Sequence, residues 1–452
     1  MASELKREKL ISDPKKAILS ISVPMIIAMT GKTLYNLVDA IWVSGLGADS
    51  LSAVGIFFPF YFLVLAISSS ISVGGGVAFA RKVGANDKLG AQKILQHSYF
   101  YVVVISLAYS IPLLVLSKEI FLYVGADKIL SPTLEYARIM FFGTLIIFFS
   151  DLSNSILRNQ GDAKRSMIAM LAGSAINIVL DPILIYTMDM GIAGAAWATL
   201  LSYLASSVLA AYWLFWKGDC YVRIRLFSKR ISKAVTMDIF KVGVPASLQT
   251  VSFSLFMFLL NGIVLTIGST EGVAVFTTGW RVMSMGTLPL IGISMGVSTI
   301  TGATYGAKCI DKLRGSYYYA LRIGMIFESC IAMAIFLLAP YIAMLFTQGE
   351  GGALIYGDLV KLLRIICIYL PIVSLSMFSS SLFNGIGKGL YALLITIMRT
   401  VVFTLPAAYF LGITLGYGLD GVWASIVLAN FISGAASFAW ARSSISKIST
   451  GV

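Results

Sequence analysis

The sequence has few charged residues for its length. Only 12% of its 452 residues are Asp, Glu, Lys or Arg, whereas 58% are hydrophobic and the mean hydropathy is +0.88. A soluble core of this size would need far more polar surface to cover it. Apolar stretches long enough to cross a bilayer recur along the whole chain, and barrel strands would be shorter and alternating. The composition therefore predicts an all-α protein that spans the membrane many times.

Histidine, cysteine and nucleotide-binding motifs are also scarce. The four cysteines show no CxxC spacing, which argues against a zinc site and against disulfides. The single histidine, His97, lies near the inner end of a predicted helix, which argues against a catalytic nucleophile–base pair. Gly31-Lys32-Thr33 is similar to the end of a phosphate-binding loop, but the loop's earlier glycine is replaced by Ile26. We therefore expect no cofactor, no nucleotide and no enzymatic activity.

Twelve predicted spans and the distribution of basic residues give a topology. The spans are 17–44, 50–80, 92–117, 133–157, 164–187, 191–216, 235–267, 272–305, 316–346, 358–385, 389–413 and 418–441. Between and beside them, about 24 lysines and arginines fall on one side and about five on the other. By the positive-inside rule both termini are cytoplasmic, which predicts a multi-pass protein of the plasma membrane. This arrangement explains the net charge of +13 without a nucleic-acid partner.

The two halves of the sequence are similar. RNQGDAKRSM and GIAGAAWATLLS close the first half (158–202), and FNGIGKGLYAL and GLDGVWASIVLA close the second (383–429). Trp197 and Trp423 follow corresponding Gly-x-x-Gly pairs. Each repeat of six spans starts inside, so the repeats are parallel and related by an axis along the membrane normal. We predict a six-helix lobe at 1–216, a basic cytoplasmic linker at 217–233 and a second lobe at 234–452, with a central cleft and alternating access.

Acidic side chains inside the spans are the first candidate functional residues. Asp39 and Asp181 lie at matching depth in the first half, and each costs about 2.5–3.5 kcal/mol near a helix centre. Asn177 is four residues before Asp181 and so shares its helix face, and Thr199 lies at a similar depth. This oxygen-rich group suits Na⁺ or a shared proton. The alternative is that the two acids are hydrogen-bonded structural anchors.

Further polar residues surround this group on the first span. Tyr35 and Asn36 share a helix face with Asp39, so we expect them to donate hydrogen bonds around it. Lys32 lies mid-membrane, either as a movable counter-charge or in a static pair with a group such as Asp151. Pro24 is expected to kink the span and to act as a hinge.

The second half lacks acids at the positions that match Asp39 and Asp181. Its buried charges are Arg281, Glu328 and Arg399, all near mid-depth. An ion-pair group is the favoured interpretation because these charges can neutralise one another. A second coupling role or a substrate-binding role is the alternative.

Four motifs resemble the multidrug and toxic compound extrusion (MATE) family, and the pattern is most similar to prokaryotic, especially archaeal, members. They are DxxWVxGLG (39–47), LRNQGDAKRSM (157–167), NxxLDP (177–182) and GxxGAAWAT (191–199). The resemblance implies export of cationic or amphipathic compounds in exchange for Na⁺ or H⁺. It implies a cation site at Asp39, Asn177, Asp181 and Thr199, and a cavity lined by Tyr35, Tyr136, Asp151 and Asn154.

Two other functions remain open from the sequence. A flippase for a lipid-linked precursor would share the two-lobe fold and would use a more cationic cleft, to which Arg281 and Arg399 could contribute. A passive channel would show conductance without gradient-coupled accumulation. For the exporter we expect the lipid bilayer and small molecules as partners, and a monomer.

Overall fold

The structure is a computed structural model that describes residues 2–218, 220–222, 231–348 and 352–450. In the N-terminal half the α-helices are α1 (Ala2–Ile11), α2 (Pro14–Ser44), α3 (Ala48–Gly84), α4 (Lys88–Val115), α5 (Ser117–Tyr123), α6 (Leu130–Phe142), α7 (Thr144–Asn159), α8 (Ala163–Pro182) and α9 (Gly191–Ala211). In the C-terminal half they are α10 (Lys233–Gly286), α11 (Leu288–Gly306), α12 (Ile310–Phe346), α13 (Gly352–Ile366), α14 (Leu370–Gly385), α15 (Gly389–Ile397), α16 (Leu405–Tyr409) and α17 (Gly418–Ser449).

Short 3₁₀ and π segments join or extend these helices. Asp127–Ile129 and Cys367–Tyr369 are 3₁₀ turns, and Ile183–Thr187, Tyr212–Trp216, Met398–Thr404 and Phe410–Thr414 are π-helical. Within the described residues, ten helices are long and apolar enough to cross a membrane, and the bent pair Asp127–Phe142 and Thr144–Asn159 makes an eleventh crossing.

Helix α10 accounts for the twelfth crossing. A straight helix of its 54 residues would be about 80 Å long, whereas the hydrocarbon core of a bilayer is about 30 Å thick. Ser269 breaks the helix with φ 53° and ψ −158°, so its two arms are separate crossings and the second arm continues into α11. The twelve-span, all-α architecture is therefore confirmed.

The chain divides into two compact units. The first unit comprises Met1–Ser12 and Val23–Ser247, and the second comprises Asp13–Ser22 and Leu248–Val452. The transitions at Ser22 and Ser247 fall inside α2 and α10, so the first turns of each of these helices belong to a different unit from the rest of the helix. Much of the predicted linker 217–233 lies outside the described residues.

The end of the fifth span and the end of the eleventh are built in the same way. In the first unit the Met190 N–H donates to the Leu184 carbonyl over 3.1 Å, just after the π turn. In the second unit the Tyr417 N–H donates to the Leu411 carbonyl over 3.2 Å, after another π turn. The sequence repeat is thus reproduced in the backbone.

The two repeat tryptophans occupy different environments. Trp423 is 1% exposed and stacks on Phe276 at a centroid distance of 5.5 Å, whereas Trp197 is 37% exposed. Trp197 is three residues after Gly194, but Trp423 is only two residues after Gly421. One residue rotates a side chain by about 100° around a helix, so the two positions that looked equivalent are not.

Small residues bring α3 and the first arm of α10 close together within the first unit. A Cβ atom at Gly243 would overlap the Ser70 carbonyl oxygen, and one at Gly74 would overlap the backbone of α10. Arg81, near the end of α3, forms a salt bridge to Asp238 at 3.0 Å. Close backbone approach at small residues is the usual way in which membrane helices associate.

Candidate cation site

Asn177 and Asp181 lie one turn apart near the end of α8, and both side chains are completely buried. The Asn177 Nδ2 atom donates to Asp181 Oδ1 over 3.3 Å. Pro182 ends the regular helix, and the chain then widens into the π turn Ile183–Thr187. Proline removes a backbone donor and widened turns recur at functional sites, so this helix end is a favourable place for a ligand.

Asp39 of α2 meets Asp181 at this point. The two carboxyl groups are close enough to interact with each other, and the Tyr136 side chain of α6 lies near both. Among the described residues, Asp181 Oδ2 and Asn177 Oδ1 accept no hydrogen bond although both atoms are buried. Two buried acceptor oxygens beside a second carboxyl group form a site for a positive charge.

Thr199 is buried on α9, which packs against α8. Within the described part of the chain, its hydroxyl group makes no hydrogen bond to either carboxyl group. The structure therefore brings Asp39, Asn177 and Asp181 together and leaves Thr199 as a neighbour on the adjacent helix.

A second polar group lies around Lys32, about two turns before Asp39 on α2. The Lys32 ammonium lies near Tyr35, Tyr61 and Asp151. Asp151 accepts a hydrogen bond of 2.5 Å from Ser68 Oγ. The arrangement places a lysine and an aspartate near one another in the same lobe, without an ion pair shorter than 4 Å between them among the described residues.

Tyrosine hydroxyls complete this second group. Tyr61 and Tyr203 are 3.2 Å apart, oxygen to oxygen, and Tyr35 lies beside both. Tyr61, Tyr203 and Ser68 were not predicted from the sequence. In the sequence, these residues are marked only by a hydroxyl group at mid-span depth. Many other residues of the chain share this feature, so it does not single them out.

Two predicted cavity residues lie elsewhere. Asn36 is exposed, because it is one residue and about 100° further round the helix than the buried Tyr35, so it does not donate toward Asp39. Asn154 is buried, but its amide donates to Ser206 Oγ over 3.1 Å and to the Ser150 carbonyl over 3.0 Å. Its amide group therefore links α7 to α9 through these two hydrogen bonds.

Helix α2 continues through Pro24 from Pro14 to Ser44. The proline lies two residues after Ser22, where the chain passes from the second unit to the first. Its role as a hinge stays a prediction.

The three charges of the second unit do not form an ion-pair group. Glu328 is fully buried and neither carboxyl oxygen has a hydrogen-bond partner among the described residues, whereas Arg281 is exposed. Arg399 lies near the Tyr369 side chain and forms no salt bridge with a described carboxylate. The sequence placed all three at one depth, but the helices turn their side chains in different directions.

The site has the chemistry of a hard-cation or proton site. The described residues include no cluster of three or more His, Cys, Asp or Glu side chains with metal-ligand geometry. Asp39 and Asp181 could hold Na⁺ together with the free Asn177 oxygen, because carboxylate and amide oxygens are ligands for hard cations. A single proton shared by the two carboxyl groups would satisfy the same charges.

Comparison with known proteins identifies the family. The sequence model of the MatE family matches residues 24–183 and 245–410, which cover both repeats. The chain belongs to the MATE family. Its members are transporters and not enzymes, and the chain is accordingly a multi-pass membrane transporter.

Curated relatives of this MATE protein include the multidrug export protein MepA of Staphylococcus aureus. The identity is 24% over 420 residues, which cover 92% of this chain and 90% of the relative. MepA of Staphylococcus saprophyticus is 23% identical over 426 residues, with 92% and 91% covered.

Solved MATE structures are closer in sequence. A MOP superfamily transporter from Pyrococcus furiosus is 42% identical with a TM-score of 0.93, and the reverse polarity of its binding pocket suggests a different function for that protein. The match covers 98% of both chains. An outward-facing multidrug resistance MATE transporter of the same superfamily is 42% identical, with a TM-score of 0.94 and 98% of both chains covered. These structures confirm the two-lobe, all-α fold.

Proposed function

We propose that this MATE protein is a secondary multidrug antiporter, which exports cationic or amphipathic compounds in exchange for Na⁺ or H⁺. The observation that carries the proposal is the pair Asp39 and Asp181 with unpartnered buried oxygens beside Asn177 among the described residues. The similarity to multidrug export proteins supports the substrate class. No nucleotide-binding motif supplies another source of energy.

The two carboxyl groups provide the coupling. Carboxylates this close together inside a membrane cannot both stay charged without a proton or a cation between them. A cation entering from outside neutralises the pair, and its release to the cytoplasm restores the charge. A coupling ion drives transport only if it binds the two conformations of the carrier with different affinity. Asp39 lies on α2 and Asp181 at the end of α8, so the ion links two helices.

The polar group around Lys32 is the proposed substrate-facing part of the same lobe. Tyr35 lies between the two groups, since it is near Lys32 and Asp39. The tyrosine rings suit a cationic aromatic compound through cation–π contacts, and the Asp151 carboxylate offsets the charge of the nearby Lys32 ammonium. A change at Asp39 can therefore reach the substrate through one turn of α2.

The test uses purified protein in liposomes, with efflux of the cationic dye ethidium driven by an imposed Na⁺ or H⁺ gradient alone. Asp39→Asn and Asp181→Asn should each lower gradient-driven efflux by about tenfold or more, because an amide cannot take up a proton or balance a cation. Asp189→Asn is the matched control, since Asp189 is an exposed aspartate of the same lobe with φ 52°, a conformation that asparagine tolerates.

The control should transport at the wild-type rate, and all variants should elute as one folded species. Wild-type efflux from either buried-site variant would refute coupling through these carboxyl groups. Dependence on only one of the two gradients identifies the ion.

A flippase for a lipid-linked precursor is the second candidate function. It is favoured by the Arg399 guanidinium group, which forms no salt bridge with a described carboxylate. Such a protein would move a fluorescent lipid-linked phosphate between leaflets. If the protein moves the lipid but not ethidium, and Asp181→Asn moves the lipid at the wild-type rate, the flippase function would replace the antiporter proposal.

We also propose that the transporter is a monomer in the plasma membrane with both termini in the cytoplasm. The basis for the orientation of the termini is the excess of lysine and arginine on their side.

A further inference from the structure

The second lobe contains a cavity of about 190 Å³. Its lining comes from α10, α11, α14 with the 3₁₀ turn before it, the π-helical segment Met398–Thr404 and α17, all within the second unit. For comparison, an engineered apolar cavity of about 150 Å³ binds benzene. The space therefore suits one aromatic ring with a small substituent.

One wall of the cavity is aromatic. Phe253 lies 6.0 Å from Phe256 and 6.1 Å from Trp280, measured between ring centroids, and all three line the cavity. Rings at these separations leave edges and faces on which another ring can pack.

Arg399 and Tyr369 contribute two hydrogen-bond donors to the polar part of the lining. Arg399 is the one charged residue among the described lining residues, and its guanidinium group lies near the Tyr369 side chain. Tyr369 is only 5% exposed, and it lines the same cavity. Thr404 Oγ1 donates to the Arg399 carbonyl over 2.6 Å. This backbone carbonyl of the π turn therefore has its hydrogen bond from Thr404 and not from the Arg399 side chain.

Asn430 also contributes to the lining. Asn430 lines the cavity and is 5% exposed, and its amide donates to the Ile426 carbonyl over 2.8 Å. Its Oδ1 atom accepts no hydrogen bond within the described chain. Buried polar atoms normally have partners, so an unpartnered oxygen at this position is unusual.

No described acid of the lobe neutralises Arg399. Glu328 lies near Tyr369 but does not line the cavity, and it forms no salt bridge with Arg399. A cation inside a membrane span is costly unless something pairs with it. An arginine and a tyrosine hydroxyl side by side match the two oxygens of a carboxylate.

We propose that this cavity is a binding site for an aromatic carboxylate, with the carboxylate on Arg399 and Tyr369 and the ring against Phe253 and Trp280. The site does not rest on the proposed cation coupling in the first lobe. A cationic compound is disfavoured there because it would face the guanidinium group. A phosphate alone would leave the aromatic wall without a partner.

Equilibrium binding to the purified full-length protein tests the site. Benzoate, its neutral analogue benzamide and inorganic phosphate are titrated at constant Na⁺ concentration, with ligand-observed NMR or calorimetry as the readout. Benzoate should bind about tenfold or more tightly than benzamide or phosphate, the effect of a charge-assisted pair. Arg399→Gln should abolish the preference for benzoate over benzamide, and Tyr369→Phe should weaken benzoate binding roughly fivefold, the effect of one lost hydrogen bond.

Arg281→Gln is the matched control. Arg281 follows Trp280 on the same helix arm, but it is exposed and does not line the cavity. Its variant should bind benzoate like the wild type. Equal benzoate affinity in Arg399→Gln, equal weakening in Arg281→Gln, or phosphate binding as tight as benzoate would each overturn the proposal. Retained benzamide binding by Arg399→Gln shows that this variant still forms the cavity.

Discussion

Buried carboxyl groups occur in both lobes, but their neighbours differ. Asp181 has Asp39 and Asn177 beside it, whereas neither oxygen of Glu328 has a hydrogen-bond partner in the described part of the chain. A pair of acids can hold a cation or pass a proton between its members, whereas a single acid offers only one carboxyl group. At the scale of the residue, the proposed cation site therefore lies in the first lobe, whereas the second lobe has an arginine beside a cavity.

Outside the membrane, Asp87 shows how one carboxylate stabilises the turn between α3 and α4. Its Oδ1 accepts from the Gly90 N–H over 2.7 Å at the start of α4, and its Oδ2 accepts from Lys82 Nζ over 2.9 Å. The Lys82 ammonium and the Gly90 N–H hold the pKa of Asp87 below its usual range. The stability that comes from this low pKa is present above about pH 4, the pKa of an aspartate in an unfolded chain, and is lost as the pH falls through the lower folded value.

Asp87→Ala should lower the stability of the protein by about 1 kcal/mol at pH 7, because the N-cap of α4 is lost. Asp87→Asn keeps an acceptor for Gly90 and should lose less. The midpoint of thermal unfolding in detergent measures both effects. When the pH is lowered from about 7 to about 3, the difference between the wild type and Asp87→Asn should shrink. A difference that stays constant or grows would contradict the assigned role of the carboxylate.

At the scale of the element, small residues decide which helices can approach each other. Gly243 on α10 lies against the Ser70 carbonyl of α3, so the two backbones touch without intervening side chains. Gly262, further along α10, has no described atom within 4 Å of the position of a Cβ. One helix thus carries a glycine that its packing requires and another that it does not.

Replacing each of these two glycines by alanine should change the stability of the protein differently. Gly243→Ala should destabilise the protein by about 1–3 kcal/mol, because the added methyl group forces α3 and α10 apart. Gly262→Ala should be neutral or stabilising by up to about 1 kcal/mol, since alanine is the better helix former. Thermal unfolding of both variants in the same detergent provides the comparison, and equal midpoints would count against close packing at Gly243.

The helices were predictable from sequence, and the directions of many side chains were not. Long apolar runs and basic loops indicated twelve spans, and the spacing of Asn177 and Asp181 indicated their shared helix face. Asn36 and Tyr35 are neighbours in sequence, yet one is exposed and the other buried. Because nearly every face of a membrane helix is apolar, hydrophobic periodicity does not reveal its rotation. The environment of Glu328 and the Arg399 cavity depend on that rotation.

At the scale of the whole molecule, the two repeats share a backbone plan and differ in charge. The π turns that end α8 and follow α16 have matching hydrogen bonds, but acids meet at the first and not at the second among the described residues. A duplicated fold can in this way keep its architecture while its halves specialise. For this reason the similarity of the halves predicts the fold but does not predict the cavity beside Arg399 in the second lobe.

The orientation of the whole molecule is testable by labelling. In a variant whose four cysteines are replaced by serine, Lys128→Cys should react with a membrane-impermeant maleimide on intact cells, and Lys16→Cys should react only after permeabilisation. Both lysines are exposed in the structure, so burial does not limit the reaction. Labelling of Lys16→Cys on intact cells would contradict cytoplasmic termini.

The exchange of helix ends between the units has a consequence for biosynthesis. Residues 13–22 are synthesised more than 200 residues before Leu248, yet they belong to the unit whose remaining residues begin at Leu248. The other unit is incomplete until Ser247 has been made. Neither unit is therefore complete before Leu248 has been synthesised, and the first turns of α2, up to Ser22, are made long before the rest of their unit.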